Sequence, residues 1–419
     1  MTTTAVKSEP EVPVTQTDPF GSYITKYFQR IRGGEMGALP AILGLIVLCA
    51  GFSIFRPVFL TSGNFANLIP QGAAVIAIAM GLVFVLLLGE IDLSAGFASG
   101  VCAAIMAKAL AEWGLPWYAA ILAAMLTGTI IGFLIGVLVA KVGIPSFVVT
   151  LAAFLGFQGL VLQLIKGGTI VAVTDPTVLA IGNKNLSPLL GWVMFAVLVG
   201  GYGVVQVVRT IGRKRRRLKT DPMSVLVARV VGLAVIVGFA VYVLNQERSR
   251  NPAFNSLKGV PVVVPIMAAL LVLLTFVLRR TRYGLHIYAV GGNREAARRA
   301  GINTDRIRIS AFVLCSTLAS IGGIIAASRA SSVDPNTGGS NVLLYSVGAA
   351  VIGGTSLFGG KGRIIDAVLG GAVVAVIING MGLLNVESGI KFIVTGAVLL
   401  AAAGVDALSR RRAANAGLR

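Results

Sequence analysis

Few residues in this 419-residue chain have types and spacings that could do chemistry. Residues 353–362, GGTSLFGGKG, come nearest to the phosphate-cradling pattern G-x-x-x-x-G-K-[ST]. In that pattern backbone amides hold the phosphates, the lysine reaches them and the hydroxyl binds magnesium. Counting back from Lys361, the first required glycine falls on Thr355, and Gly362 stands where Ser or Thr is needed. No ATP site is formed, and no soluble segment is large enough to carry one elsewhere. His286 is the only histidine, so histidine triads and multi-histidine metal sites are excluded. Cys49, Cys102 and Cys315 sit in apolar segments without metal-ligand spacing, which argues against a zinc site or a disulfide framework. What remains is a pair of acids, Glu90 and Asp92, in GEIDLSAG at residues 89–96. A carboxylate at the centre of a lipid-exposed helix costs about 2.5 to 3.5 kcal/mol, so both must face an interface or a polar interior. Asp92 or Ser94 can cap the helix that follows, and Gly89 and Gly96 permit a sharp break. Two readings stay open, a capped turn at the cytoplasmic boundary and a hinge lining a transport route.

The elements that must position these residues are membrane helices. Hydrophobic residues make up 56% of the chain and charged residues 12%, with a mean hydropathy of +0.87. Soluble domains carry about 25% charged residues. The reading is an all-α, polytopic transmembrane helical bundle of about 10–12 spans, including broken or re-entrant helices. Its 52 glycines suit helices that approach closely in lipid. Apolar segments fall at 37–55, 66–88, 93–111, 117–140, 146–165, 189–208, 225–244, 260–278, 310–328, 342–357, 364–385 and 388–406. The 342–357 segment is short enough to be re-entrant. The piece GAAVI, at residues 72–76 and again at 348–352, hints at an internal repeat with interrupted helices.

Charge sets the orientation. The net charge of +20 comes from 36 Lys and Arg that gather between apolar spans, above all in loops 209–224 and 279–309 and in a basic tail at 409–419. This pattern predicts N-in, C-in topology for a transmembrane domain at 37–408. The run RKRRRLK at 213–219 is then topogenic and lipid-facing rather than a nucleic-acid site. Residues 1–36 form a cytoplasmic tail in which Phe20, Tyr23, Ile24, Tyr27, Phe28 and Ile31 follow helical spacing. That pattern fits an amphipathic helix lying on the leaflet, or one packed on the bundle.

The longest patterned polar insert is 279–309. Residues 293–301 predict a helix of about two turns, with Asn293 as N-cap, Glu295 in its first turn, Arg298 and Arg299 in its last, and Gly301 as its stop. Gly292 precedes it. Ala296, Ala297 and Ala300 fall on one narrow face, with Glu295 and Arg299 paired at i and i+4 on the other. Such a helix is too short to be stable alone, so something must hold it, either a partner chain or the protein's own cytoplasmic surface.

Three motifs in order, GEIDLSAG at 89–96, AVGGNREAARRAGI at 289–302 and VIGGTSLFGGKG at 351–362, resemble the permease subunits of bacterial ATP-binding-cassette sugar importers. The resemblance covers roughly 65–405 and lies in the ribose and xylose branch. The basic loop and an additional pair of apolar segments look more like the longer xylose permeases. It implies a chain without catalytic activity or cofactor of its own, in the bacterial inner membrane. It also implies a partner ATPase carrying ATP and magnesium, a sugar-binding protein and a second permease copy. On that basis Gly292, Asn293, Glu295, Ala296, Ala297, Arg298, Ala300 and Gly301 form the ATPase-coupling helix, and Ala297→Trp is expected to abolish ATPase binding. A neutral sugar needs hydrogen-bonding groups, and Asn67, Gln71, Gln158, Gln163, Asn379 and Asn385 are candidates beside Glu90, Asp92 and Ser94. Each amide serves equally well as an interhelical hydrogen bond worth about 0.6 kcal/mol. The competing reading is a secondary transporter or channel that works without an ATPase. The acids lie near predicted span ends, which leaves little machinery for proton coupling.

Overall fold

Every one of the apolar segments contains a helix in the computed structural model, which describes residues 37, 39–165, 169–216, 218, 220, 222–249, 251 and 256–415. The amphipathic segment at 20–32 lies outside the described residues. The helices are α1 (Leu39–Phe55), α2 (Ser62–Leu87), α3 (Ala95–Ala111), α4 (Trp117–Val137), α5 (Ser146–Leu164), α6 (Pro176–Asn183), α7 (Pro188–Arg215) and α8 (Met223–Leu244). They continue as α9 (Val263–Arg280), α10 (Arg282–Gly292), α11 (Arg294–Arg299), α12 (Thr304–Ala330), α13 (Ser340–Ile352), α14 (Ile364–Leu383) and α15 (Ser388–Asn415). Eight of them are long and apolar enough to cross a membrane, which makes this an all-α polytopic membrane protein. A two-residue hairpin pairs β1 (Val171–Ala172) with β2 (Ser332–Val333). The basic run expected as a loop from residue 209 is helical to Arg215, and the basic tail is helical to Asn415. Lys and Arg are strong helix formers, so an apolar span runs on into its charged flank.

The bundle is organised around α2 and α12. Phe84, Met80, Leu82 and Leu86 of α2 and Phe312 and Ile325 of α12 are fully buried. In lipid, apolar surface gives helices little reason to associate, so close backbone approach must supply it. Glycine provides that approach here. A Cβ added at Gly81 would lie 2.9 Å from the Cys315 carbonyl, and one at Gly322 3.0 Å from the Ala74 carbonyl. The pairing of 81 with 315 and 74 with 322 makes the two helices antiparallel. Gly128, Gly132 and Gly136 of α4 meet Ser316, Phe312 and Ile309 of α12 in the same antiparallel sense. By contrast α7 and α8 bury few residues and sit at the periphery, with Gly238 against the Phe195 ring.

The chain repeats itself upside down. A long helix, a break, a short helix and two further helices start at 62, 95, 117 and 146, and again at 304, 340, 364 and 388. The offset is nearly constant, and the two leading helices run in opposite directions. Contacts repeat as well, since Gly72 and Gly371 join α2 to α14 as the α4 glycines join α4 to α12. The expected repeat is therefore present, but GAAVI does not mark it. Its first copy lies in the long helix α2 and its second in the short helix α13, out of register with the structural pairs.

Both breaks run non-helical and then helical. After α2 the chain turns back inward, so that Asp92 lies beside the Cys315 thiol. Cys315 is near the middle of the 27-residue α12. After α12, Thr337 packs so tightly on α3 that a Cβ at Gly100 would lie 2.1 Å from its carbonyl oxygen. Segments 88–111 and 331–352 thus each traverse the bundle, first as a short non-helical stretch and then as helix, which answers the re-entrant reading of 342–357. Non-helical backbone at this depth is tolerated because protein surrounds it. Each break carries one aspartate in the same turn. Asp92 Oδ1 accepts from Ser94 N at 2.9 Å and Ser94 Oγ at 2.6 Å, and Asp334 Oδ1 accepts from Asn336 N at 2.7 Å and Thr337 Oγ1 at 3.3 Å.

Replacing Gly132 by valine places a Cβ 2.4 Å from the Phe312 carbonyl and must push α4 off α12. A loss of about 1 to 3 kcal/mol is expected, seen as a lowered unfolding midpoint in detergent, whereas Gly200→Val on the open face of the peripheral α7 should leave it unchanged.

Candidate functional site

The basic insert is built on α10. Thr281 accepts from Gly284 N at 3.2 Å to start it, and Gly284, Ile287 and Val290 turn inward. Asn293 then leaves helical geometry, and its side chain accepts from Ala296 N at 2.9 Å to open α11. Glu295 and Arg299 are 3.4 Å apart on the exposed side, a pair worth little beyond steadying the turn. Gly301, at φ +82°, ends the helix in the left-handed region that glycine enters without cost.

One expectation about α11 needs correction. Ala297 is buried at 5% exposure and belongs to the chain's own core, while Ala296 and Ala300 stay exposed. The alanine face is split because α11 leans on the bundle by its middle residue. A Trp at 297 would therefore overpack the bundle before it met any partner. The residues that stay exposed are Arg294, Glu295, Ala296, Arg298, Arg299 and Ala300.

Beneath α11 the three sequence motifs converge. The Gly360 N–H donates to the Leu87 carbonyl at 2.8 Å. A Cβ at Gly291 would lie 1.8 Å from that same carbonyl oxygen, and Gly359 packs on the Gly291 carbonyl and Gly89 N. Four glycines from residues 89, 291, 359 and 360 thus let three loops share one point. Tyr288 secures the joint from α10, donating to the Gly362 carbonyl at 2.6 Å, and burial pushes its phenol pKa up. Tyr283 accepts from Ser310 Oγ at 3.0 Å, and burial lifts its pKa to about 12. Arg363 and Asp366 close the far side at 2.7 Å.

Beside the joint, Glu90 meets Arg308, one turn into α12. Arg308 Nε donates to Glu90 Oε1 at 2.8 Å and Nη2 to the same oxygen at 2.5 Å. Side-chain exposure is 7% for the arginine and 15% for the glutamate, so this pair is shielded from solvent. It ties the first break to the helix that follows α11. Arg308 was not singled out by sequence because it reads as one more topogenic charge. Asp334 was missed too, although VDPNTGG and IDLSAG share an Asp-x-polar spacing that marks both breaks.

The other candidates divide. Gln71 and Asn379 come together, with Asn379 Nδ2 donating to Gln71 Oε1 at 3.2 Å and to Asn64 Oδ1 at 3.0 Å. Asn64 and Asn379 are buried, and their amides satisfy one another as an α2–α14 clasp. Asn67 is exposed and accepts from Arg329 Nη2 at 3.2 Å. Asn385 sits at the turn after α14 with φ +54°, a left-handed position that asparagine tolerates. Gln158 and Gln163 are exposed on α5, away from these groups. Ser94 is buried on Asp92 and makes no side-chain cap of its own. Asp92 lies at mid-helix depth, not near a span end as expected, because the chain re-enters the bundle after α2.

A multi-pass bundle with paired broken helices and a polar joint at one face defines a membrane transport subunit. The chain belongs to the family described as the branched-chain amino acid transport system permease component, whose model matches residues 64–403. It is 33% identical to the xylose transport system permease protein of Haemophilus influenzae, over 91% of this chain and 99% of that protein. It is 35% identical to the corresponding protein of Escherichia coli K12, over 84% and 87%, and 32% identical to the ribose import permease protein of that strain, over 87% and 92%. No solved structure matches it. The chain is therefore a multi-pass inner-membrane transport component rather than an enzyme.

Arg308→Ala strands Glu90 in a low-dielectric site, and a loss of about 3 to 5 kcal/mol is expected in chemical unfolding. The double variant Glu90→Gln with Arg308→Met should recover most of it, and equal losses in single and double variants would contradict a coupled pair.

Proposed function

We propose that this chain is the membrane-spanning permease of an ATP-binding-cassette importer that carries a monosaccharide into the cytoplasm, with xylose the first choice and ribose the second. The observation that carries this reading is the convergence of all three motifs on one glycine joint directly beneath α11. Xylose comes first because the relatives named for xylose transport match at 33 to 35% identity over 87 to 99% of their length, against 32% over 92% for the ribose relative. The basic face is cytoplasmic by the positive-inside rule, which puts both termini inside. A separate ATPase, holding ATP and magnesium, docks on the exposed side of α11. A sugar-binding protein delivers substrate at the opposite face.

Closure of the ATPase pair moves α11, and α10 carries the motion into the joint. From there it reaches the α2–α3 break through Leu87 and Gly89, and the base of α12 through Glu90 and Arg308. Rocking of the two inverted halves then alternates access. A second copy of the chain faces α5, where Gln158 and Gln163 would otherwise leave two amides against hydrocarbon. An unsatisfied polar group in such a medium is costly, whereas a shared polar path between copies hydrates both. Those glutamines then offer hydrogen bonds to sugar hydroxyls.

The secondary-transporter reading gains something from Asp92, an acid at membrane depth. Liposomes separate the two. Vesicles holding the chain alone should take up no xylose, and uptake should appear only with the ATPase, the binding protein and ATP. Ala300→Trp on the exposed side of α11 is expected to leave the subunit folded in the membrane and to weaken ATPase binding at least tenfold in a pull-down titration. Uptake by the chain alone, or unaltered ATPase binding, would contradict the proposal.

A further inference from the structure

A groove of about 510 Å³ opens beside α11, between the end of α4 and the start of α12. At the basic face it is lined by Lys141, Arg306, Asn303 and Asp305, and deeper in by Phe133, Ile309 and Val313. Both walls follow the same order. On α12, Arg306, Ile309 and Val313 recur at helical spacing, so one stripe passes from cation to hydrocarbon within about 10 Å. On the α4 side, Lys141 stands about two turns beyond Phe133, on the π-helical turn Leu138–Val142 that ends at Gly143. Phe133 is 52% exposed, so the groove opens sideways towards lipid and not into the core.

Charge favours an anion. Asp305 is the one acid among the lining residues, and Arg294 Nη2 stands 3.8 Å from its carboxylate. Lys141 and Arg306 are both exposed and lie in excess over that acid. We propose that this groove binds an anionic phospholipid, with its phosphate between Lys141 and Arg306 and an acyl chain along Phe133, Ile309 and Val313. A cytosolic protein segment would match the polar rim. Only a molecule already in the bilayer can also cover an apolar floor two turns into the span. A basic pocket between membrane helices is a recurrent headgroup site. The proposal needs only that the chain spans a membrane and does not rest on the sugar or the ATPase. Its place beside α11 would make lipid composition a regulator of that helix.

The test is native mass spectrometry of the purified full chain titrated with phosphatidylglycerol or phosphatidylcholine. Wild type should retain phosphatidylglycerol preferentially. Lys141→Ala with Arg306→Ala should lower that affinity about 30-fold, the scale set by two basic residues at an anionic headgroup. Phosphatidylcholine binding should not change. Arg213→Ala with Lys214→Ala removes equal charge from the end of α7, away from the groove, and should leave both lipids unaffected. Phe133→Ala keeps the charges and should weaken long-chain phosphatidylglycerol more than a short-chain analogue. Equal losses in the two charge-removal pairs would overturn the proposal by reducing it to net charge. Displacement by inorganic phosphate at equal concentration would overturn it as a free-anion site. Loss of ATPase binding in the Lys141 and Arg306 pair with lipid affinity intact would overturn it in favour of a protein groove.

Discussion

The structure depends on a single carbonyl. Leu87 ends one of the deeply buried helices of the bundle, and its oxygen accepts from Gly360 while the bare backbone of Gly291 passes within contact distance. No side chain fits there. The segments at 87–89, 291–292 and 358–360 are held in register by the absence of atoms. A buried carbonyl left unpaired costs about 1 to 3 kcal/mol, so the joint stabilises as well as aligns.

Around that joint the inverted repeat gives the protein two equivalent halves with one asymmetry. Each half contains a long helix, a break with an aspartate turn and a half-helix that ends or begins near mid-depth. Only the half that follows α10 and α11 carries the polar insert at the basic face, and only the first break sends a glutamate to meet it. In the proposed mechanism, motion of α11 enters one half directly and reaches the other through Glu90 and Arg308. The opposing α2 and α12 are packed by glycine, where helices slide with few interlocking side chains to displace.

Much of this was legible in sequence, because hydrophobic length and charge asymmetry are local properties. Each span appears where its apolar run lies, and Asn293 and Gly301 bound α11 as their side-chain chemistry requires. Tertiary facts were less legible. Sequence places Ala297 on a face but cannot say that the bundle itself takes that face, since a lone alanine suits either surface. The depth of Asp92 was hidden because a non-helical re-entry has no hydrophobic period and looks like a surface turn. The amides divided for the same reason: Asn64 and Asn379 find each other only once α2 and α14 are packed. The repeat was visible in helix lengths and in two aspartate turns, while the identical letters of GAAVI pointed to the wrong register.

The central claim is that α11 acts on the broken helices through the glycine joint, and the number of xylose molecules moved per ATP hydrolysed tests it most directly. In vesicles holding the complete complex, Gly291→Ala forces a Cβ against the Leu87 carbonyl without touching the docking side of α11 or the ATPase. The account predicts that the complex still assembles and hydrolyses ATP while the ratio falls at least tenfold. An unchanged ratio in an assembled, hydrolysing Gly291→Ala complex would contradict it.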